Sequence, residues 1–342
     1  IPDSSWSQRF GDPLEQSSMA VAVDDERNVY VTGNFEGEMV VGTETLVSGN
    51  TRDAYLIKLR QLADSYGIRM YTGAGSICKN STGYKAEFGT PENVLGQGIR
   101  VASILGSPVV TCRIGSLKDR YTDGGIKARM EESIAVLNAL RTRAQDAGVK
   151  FAFENHAGDL RSKEVLSIIH EVGPDICGSM LDPGNALWAM EDPMEQIKIL
   201  GPHVLCTSVR DYMVWEAEDG ATFQWMAIGD GLMDAPEFAR LMSTMCPGVP
   251  LFVETISNSP RSLPFLTKKH WEGYPNLRAP GILDFLELCR KGRPIEQVEM
   301  PSGMNKKQFD QQHQKAELLK SVDYLRNHCN VGRNPVAYTQ LT

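Results

Sequence analysis

The sequence predicts an α/β protein of parallel strands, preceded by a short antiparallel β segment. Three observations carry this. From about residue 60, short β-prone apolar runs alternate with helical segments, the pattern of βαβ units joined by right-handed crossovers. The run Val149-Lys150-Phe151-Ala152-Phe153-Glu154-Asn155-His156 follows a helix ending at Gly148 and leads straight into three polar side chains. A buried strand ending this way delivers chemistry at its carboxyl end, where barrels and doubly wound sheets place their sites. Before residue 60, alternating strands are closely punctuated by Gly, Asn and Asp, as in an antiparallel meander.

The 342 residues suffice for one barrel with an appendage or for two domains. Apolar content of 42% and charged content of 23% are those of a globular protein. The net charge of −8, with no Lys/Arg block, argues against a nucleic-acid surface. No apolar run approaches the roughly 20 residues needed to span a bilayer. The chain begins at Ile1 without a Met or a signal-like apolar stretch, which points to upstream residues missing or processed. Seven scattered cysteines, mostly inside apolar runs and without a CxxC pair, read as buried free thiols of a cytoplasmic protein.

In order, strands are expected at 19–24, 28–33, 38–42 and 54–58. A helix end over 59–66 and a strand at 67–73 follow. Thr90 and Pro91 open a helix running to about Leu105, with Pro at the first helical position. Strand 108–113, helix 124–146 and strand 149–156 come next, then helix 161–172 and strand 176–182. Asp192-Pro193 opens another helix before strand 203–209. Asp234 and Glu237 form a capping pair for helix 234–245, which leads to strand 249–254. Helices near 280–291 and over 306–328 end the pattern, the last with Leu318, Leu319, Val322 and Leu325 on one stripe that packs back on the body or joins a partner. Six strands follow residue 60, whereas a closed (β/α) barrel needs eight.

Three of these strands end in carboxylates: Glu154, Asp182 and Glu254. Converging on one cavity they would repel unless a divalent cation neutralised them, and such donors suit Mn²⁺, Mg²⁺ or Zn²⁺. Taken singly, each carboxylate could instead cap a helix or pair with a rim Lys or Arg.

Residues 60–295 resemble the xylose-isomerase-like barrel superfamily, in its sugar phosphate isomerase/epimerase branch. The resemblance rests on Glu154-Asn155-His156, Leu181-Asp182-Pro183-Gly184-Asn185, Val209-Arg210-Asp211, Ile228-Gly229-Asp230-Gly231 and Phe252-Val253-Glu254, in the family's order. It implies a (β/α)8 TIM-barrel-like fold, incomplete or irregular at strands 1–2, where residues 1–60 stand. It implies a divalent metal, Mn²⁺ first and Mg²⁺, Co²⁺ or Zn²⁺ otherwise, on Glu154, Asp182 and Glu254, with Glu154 and Glu254 doubling as the acid/base pair. The family's fourth ligand is a His, and Ser208 stands at that position; Gln224 of the Phe223-Gln224-Trp225 loop, or His156, could replace it. Residues 1–60 resemble one bacterial β-propeller repeat, carried by Trp6, Phe10-Gly11, Val21-Ala22-Val23-Asp24, Val29 to Gly33 and Asp53-Ala54-Tyr55. One blade alone is not stable. The division expected is therefore a β segment at 1–60, a barrel at 61–295 and a helical extension at 296–342.

The implied activity is a metal-dependent sugar isomerase or epimerase working through an enediolate. His156, Asn185, Arg210, Arg113 and Arg261 are the candidate substrate contacts, and Trp188, Trp215 and Trp225 either cover sugar C–H surfaces or pack in the core. The rivals are a lyase or hydrolase acting on an oxidised (3-keto) glycoside, and a non-catalytic sugar-binding or scaffold protein. An abasic-site endonuclease needs a His-rich three-metal site, which six His in an acidic chain do not supply. The expected partner is a small sugar, and the resemblance adds a homo-oligomer.

Overall fold

The structure, a computed structural model, describes residues 59–332 apart from 62, 66 and 67, and before them the backbone of four strands between residues 16 and 47. Those strands form two separate hairpins, β1 (Gln16–Val23) with β2 (Val29–Phe35) and β3 (Glu38–Val41) with β4 (Glu44–Val47). Three of the four expected strands fall here; the one at 54–58 lies outside the described residues, as do Trp6, Phe10 and Asp53 of the propeller-like pattern.

Five parallel strands form the main sheet in chain order: β5 (Thr72–Ser76), β6 (Val109–Arg113), β7 (Lys150–Glu154), β8 (Cys177–Leu181) and β9 (Val204–Thr207). Helices connect successive strands, each burying one stripe. Helix Pro91–Leu105 starts as expected, with the Thr90 side chain accepting from the Asn93 amide at 3.2 Å. The long helix expected over 124–146 divides at Leu140 into Gly125–Ala139 and Arg141–Asp146. The sixth strand is reduced to one parallel bridge, Val209 with Val253. There the Val209 amide donates to the Phe252 carbonyl at 2.6 Å, and the Glu254 amide to the Val209 carbonyl at 2.9 Å. Strand β5 starts five residues later than the apolar run at 67–73 suggested. Its position follows pairing with β6, and Gly73 is needed there because a Cβ would meet Thr111 Oγ1 at 2.6 Å.

The two faces of the sheet bury different residues. Phe151, Phe153, Cys177 and Leu181 pack into the large core shared with the helices. Val109, Ala152 and Cys206, with Met180 and Phe252 against them, form a smaller cluster on the other face. Strand side chains alternate with period two. Glu154, Asp182, Ser208 and Glu254 each follow a member of that smaller cluster by two residues, so the alternation aims all four to its side of the sheet.

A second sheet of three antiparallel strands, β10 (Asp211–Ala217), β11 (Gly220–Met226) and β12 (Arg261–Leu263), follows β9. Phe223-Gln224-Trp225 therefore lies within a strand, not in the loop expected. The turn is the pair Glu218-Asp219 between two β-prone runs, with Gly220 opening β11 opposite Ala217. The last helix, Lys306–His328, packs back through Ser321 and Leu325, while Leu319 stays 52% exposed. Six of the seven cysteines are buried and all are unbridged. Among the described residues no helix is long and apolar enough to cross a membrane.

Candidate active site

Three carboxylates and three arginines gather at the carboxyl edge of the parallel strands. Asp182 caps the short helix Pro183–Ala186 and is fully buried. Its Oδ1 accepts from the Asn185 amide at 3.0 Å and from Arg210 Nε at 3.3 Å, and its Oδ2 from Asn185 Nδ2 at 2.7 Å and from Arg210 Nη2. The same Arg210 Nη2 lies 2.7 Å from Glu254 Oε2, which also accepts the Ser208 hydroxyl. Arg210 thus joins two carboxylates from different strand ends, and it is only 3% exposed.

Glu154, 6% exposed, takes weaker partners. Asn185 Nδ2 lies 3.4 Å from its Oε1, and Arg113 Nη1 lies 3.6 Å from its Oε2. Burial raises the Glu154 carboxyl above its ordinary range; Arg113 opposes this, and the nearby Glu254 adds to it. Burial also pushes Asp182 up, against the pull of Arg210. Glu154 is thus biased toward holding a proton, while Glu254 sits against a guanidinium and a hydroxyl donor.

The other expected residues are placed as follows. His156 donates from Nδ1 to the Gly115 carbonyl, and burial together with Arg113 lowers its basicity. Arg261 lies on Trp225, its Cζ 3.8 Å from the ring centroid, and Arg210 Cζ lies 3.7 Å from the same centroid. Burial and the neighbouring Arg210 pull Arg261 down to about 10. Gln224 is not part of the cluster. Trp225 faces Arg210 and Gly184, and the neighbouring position on β11 turns the opposite way. Gln224 instead lines a cavity of about 270 Å³ with His313, Glu317 and Lys320 of the last helix, its buried Oε1 without a hydrogen-bond partner.

Three supports were not foreseen. Trp225 Nε1 donates to the Gly184 carbonyl at 2.9 Å, fixing the indole beneath Arg210. Asp211 accepts four backbone amides, from Tyr212, Gly229, Gly231 and Met233 at 2.7–3.1 Å, so two of the recognised motifs are one structural unit. Asp159 accepts from the amides of Gly115 and His156, both at 2.9 Å, tying together two loops beside the site. Asn155 ties the ends of β7 and β8 together, its Nδ2 donating to the Asp182 carbonyl at 3.1 Å and its Oδ1 accepting from the Asp182 amide at 3.3 Å.

The divalent cation implied by the resemblance does not fit this donor set. Both oxygens of Asp182 are committed to four donors, Oε2 of Glu254 is committed to Arg210 and Ser208, Gln224 faces away, and only Glu154, with partners at 3.4 and 3.6 Å, is loosely held. Among the described residues no group of three His, Cys, Asp or Glu is arranged to hold a metal ion. Neutralisation of the converging carboxylates, expected from a metal, comes here from guanidinium groups.

The chain belongs to the Xylose isomerase-like TIM barrel family, which it matches over residues 35–272. That match begins inside the amino-terminal β segment, and the resemblance of that segment to a propeller repeat finds no support in it. The chain is 22% identical over 183 residues to a 3-oxo-isoapionate decarboxylase of Pectobacterium atrosepticum, covering 53% of this chain and 59% of that protein. It is 28% identical over 109 residues to the uncharacterised protein YihM of Escherichia coli, covering 32% of each. It therefore spans less than two thirds of either relative. Among solved structures, the D-psicose 3-epimerase of Clostridium cellulolyticum with D-tagatose superposes with a TM-score of 0.50 at 15% identity, covering 80% of this chain and 84% of that one. A D-psicose 3-epimerase in the presence of D-fructose gives 0.51 at 14% identity, covering 82% and 85%. At these identities the likeness is one of fold.

Proposed function

We propose that this chain is a sugar isomerase or epimerase that moves a proton at the carbon beside a carbonyl, with Glu154 and Glu254 as its acid/base pair. The observation that carries the reading is the unequal setting of two carboxylates at two strand ends of one parallel sheet. Glu154 is buried with weak partners and biased toward the acid, whereas Glu254 is paired with Arg210. Pairs of titratable groups held in unlike environments mark acid and base roles. Glu254 takes the C–H proton, and the electron pair left behind moves onto the carbonyl oxygen as an enediolate. Glu154 then returns a proton, to the neighbouring carbon in isomerisation, where the first carbon's hydroxyl proton passes to the former carbonyl oxygen, or to the opposite face of the same carbon in epimerisation. Arg210 carries an unpartnered, buried Nη1, a donor able to meet the developing oxyanion. Asn185 and Arg113 orient hydroxyls, and His156 offers Nε2.

A second reading follows from the decarboxylase relative. Loss of CO₂ from a 3-oxo sugar acid leaves the same enediolate, which Glu154 protonates, and an arginine-rich site suits a carboxylate substrate. Incubation with ketohexoses and with a 3-oxo sugar acid in D₂O separates the two. Epimerisation places deuterium beside the carbonyl with no gas released, whereas decarboxylation releases CO₂ in step with product. Glu154→Gln should lower either rate about 100- to 10,000-fold.

A further inference from the structure

We infer that Arg210 occupies the role and the place of the divalent cation, so that this member of the family carries its positive charge on a guanidinium and binds no stoichiometric metal. The inference rests on the reading of this cluster as the reaction centre.

Three independent features converge on it. First, Arg210 Nη2 bridges Asp182 and Glu254, two of the three carboxylates the family resemblance assigns to the metal. A guanidinium keeps its charge at every working pH. A dication brought between the same carboxylates would face that fixed charge and would have to displace it. Second, the bridge is built in rather than incidental. Arg210 lies on Trp225, Trp225 is pinned to the Gly184 carbonyl, and a Cβ on Gly184 would meet Arg210 Cγ at 2.6 Å and Trp225 Nε1 at 2.8 Å. The surroundings thus leave room for this side chain in this position and for little else. Third, the expected fourth ligand is missing. Ser208 stands where the resemblance expects His and donates its hydroxyl to Glu254, Gln224 lines the cavity under the last helix, and His156, held by its Nδ1 bond to Gly115, keeps only Nε2, the nitrogen the proposed function gives to substrate. A neutral hydroxyl is a poor ligand for the metals concerned.

The arrangement also has a use. A metal would polarise a substrate carbonyl; Arg210 presents Nη1, buried and without a partner, from a side chain whose other nitrogens are engaged. The proton-transfer step then needs no cation beyond the chain itself.

The test uses Mn²⁺ alone as probe. The purified chain is stripped with EDTA, desalted and titrated with Mn²⁺, while the electron paramagnetic resonance signal of the free aquo ion reports binding; metal content before stripping is read by mass spectrometry. Wild type should show less than one tenth of a metal equivalent as purified and no saturable Mn²⁺ site below about 1 mM. The double variant Arg210→Met with Ser208→His removes the guanidinium and restores the nitrogen donor. It should bind one Mn²⁺ per chain at least about 10-fold tighter than wild type. A folded double variant, checked by circular dichroism, that gains no affinity overturns the inference, as does a wild-type chain holding one tightly bound metal that Asp182→Asn releases. The wild-type titration decides by itself if the double variant does not fold. Deuterium exchange into substrate that survives EDTA supports the inference, and exchange that requires added Mn²⁺ overturns it. Absence of exchange with and without Mn²⁺ counts against the proposed function and leaves the metal titration standing.

Discussion

Arg210 Nη2 stands 2.7 Å from Glu254 Oε2 while bonded to Asp182, so one buried guanidinium links the ends of three strands. The attraction between buried charges is large, but so is the cost of removing them from water. The pair is therefore fragile to loss of one member. Arg210→Met should destabilise the fold by about 3–5 kcal/mol, because the fully buried Asp182 loses its counter-charge and the half-buried Glu254 keeps only the Ser208 hydroxyl. Adding Asp182→Asn should recover part of that loss. Urea unfolding of the two variants measures the coupling; equal stabilities for wild type and Arg210→Met would show that the bridge contributes nothing.

Gly184 tests the packing beneath that guanidinium. The added methyl of Gly184→Ala would meet Arg210 Cγ at 2.6 Å and Trp225 Nε1 at 2.8 Å. Overpacking of this kind costs about 1–3 kcal/mol. The expected result is a lower unfolding temperature with a shift in tryptophan emission, since Trp225 must move.

Asp211 tests the loop. Replacing it with Ala removes the acceptor for the amides of Tyr212, Gly229, Gly231 and Met233. Orphaned buried donors cost about 1–3 kcal/mol each before relaxation, so a loss of about 3 kcal/mol or more is expected. Hydrogen exchange should rise at Gly229, Gly231 and Met233 before it rises in the parallel strands.

Much of this architecture was legible in the sequence, and the division between what was and what was not is physical. Strand ends are local features: Glu154, Asp182 and Glu254 each terminate a β-prone run, whereas their common side of the sheet follows from the packing of Ala152, Met180 and Phe252 two positions earlier. Caps are local too, as at Thr90, and at Asp234, whose side chain accepts from the Glu237 amide at 3.0 Å. Pairing across the chain is not local. Arg210 reads as a substrate contact until its partners, 28 and 44 positions away, are known. Gln224 was misplaced for the same reason, since its side of β11 is set by the hairpin register with β10, Met213 opposite Gln224. The start of β5 was set by its neighbour rather than by its own apolar residues.

His270 gives the acid limb of stability. It is 3% exposed, stacked on Tyr274 at 5.1 Å, and its Nε2 has no partner. Burial, helped by the charge of Arg120, lowers it from 6.5 to about 4. Its folded value lies below its unfolded one, so between about pH 6.5 and 4 the unfolded chain binds the proton first. The contribution is fully present above that window and is lost as pH falls through it. Discounted for partial solvation, it amounts to about 1–2 kcal/mol. Urea midpoints at pH 7 and pH 4.5 should therefore lie closer together in His270→Phe than in wild type; an unchanged gap would assign the acid limb to other groups.

The most direct test of the central claim is solvent-deuterium entry into substrate, followed by proton NMR for wild type, Glu154→Gln and Glu254→Gln on a panel of ketohexoses. The account predicts deuterium at the carbon beside the carbonyl with wild type, and rates lower by about 100-fold or more in both variants. Product formed without deuterium at that carbon, or exchange that persists in both variants, would contradict it.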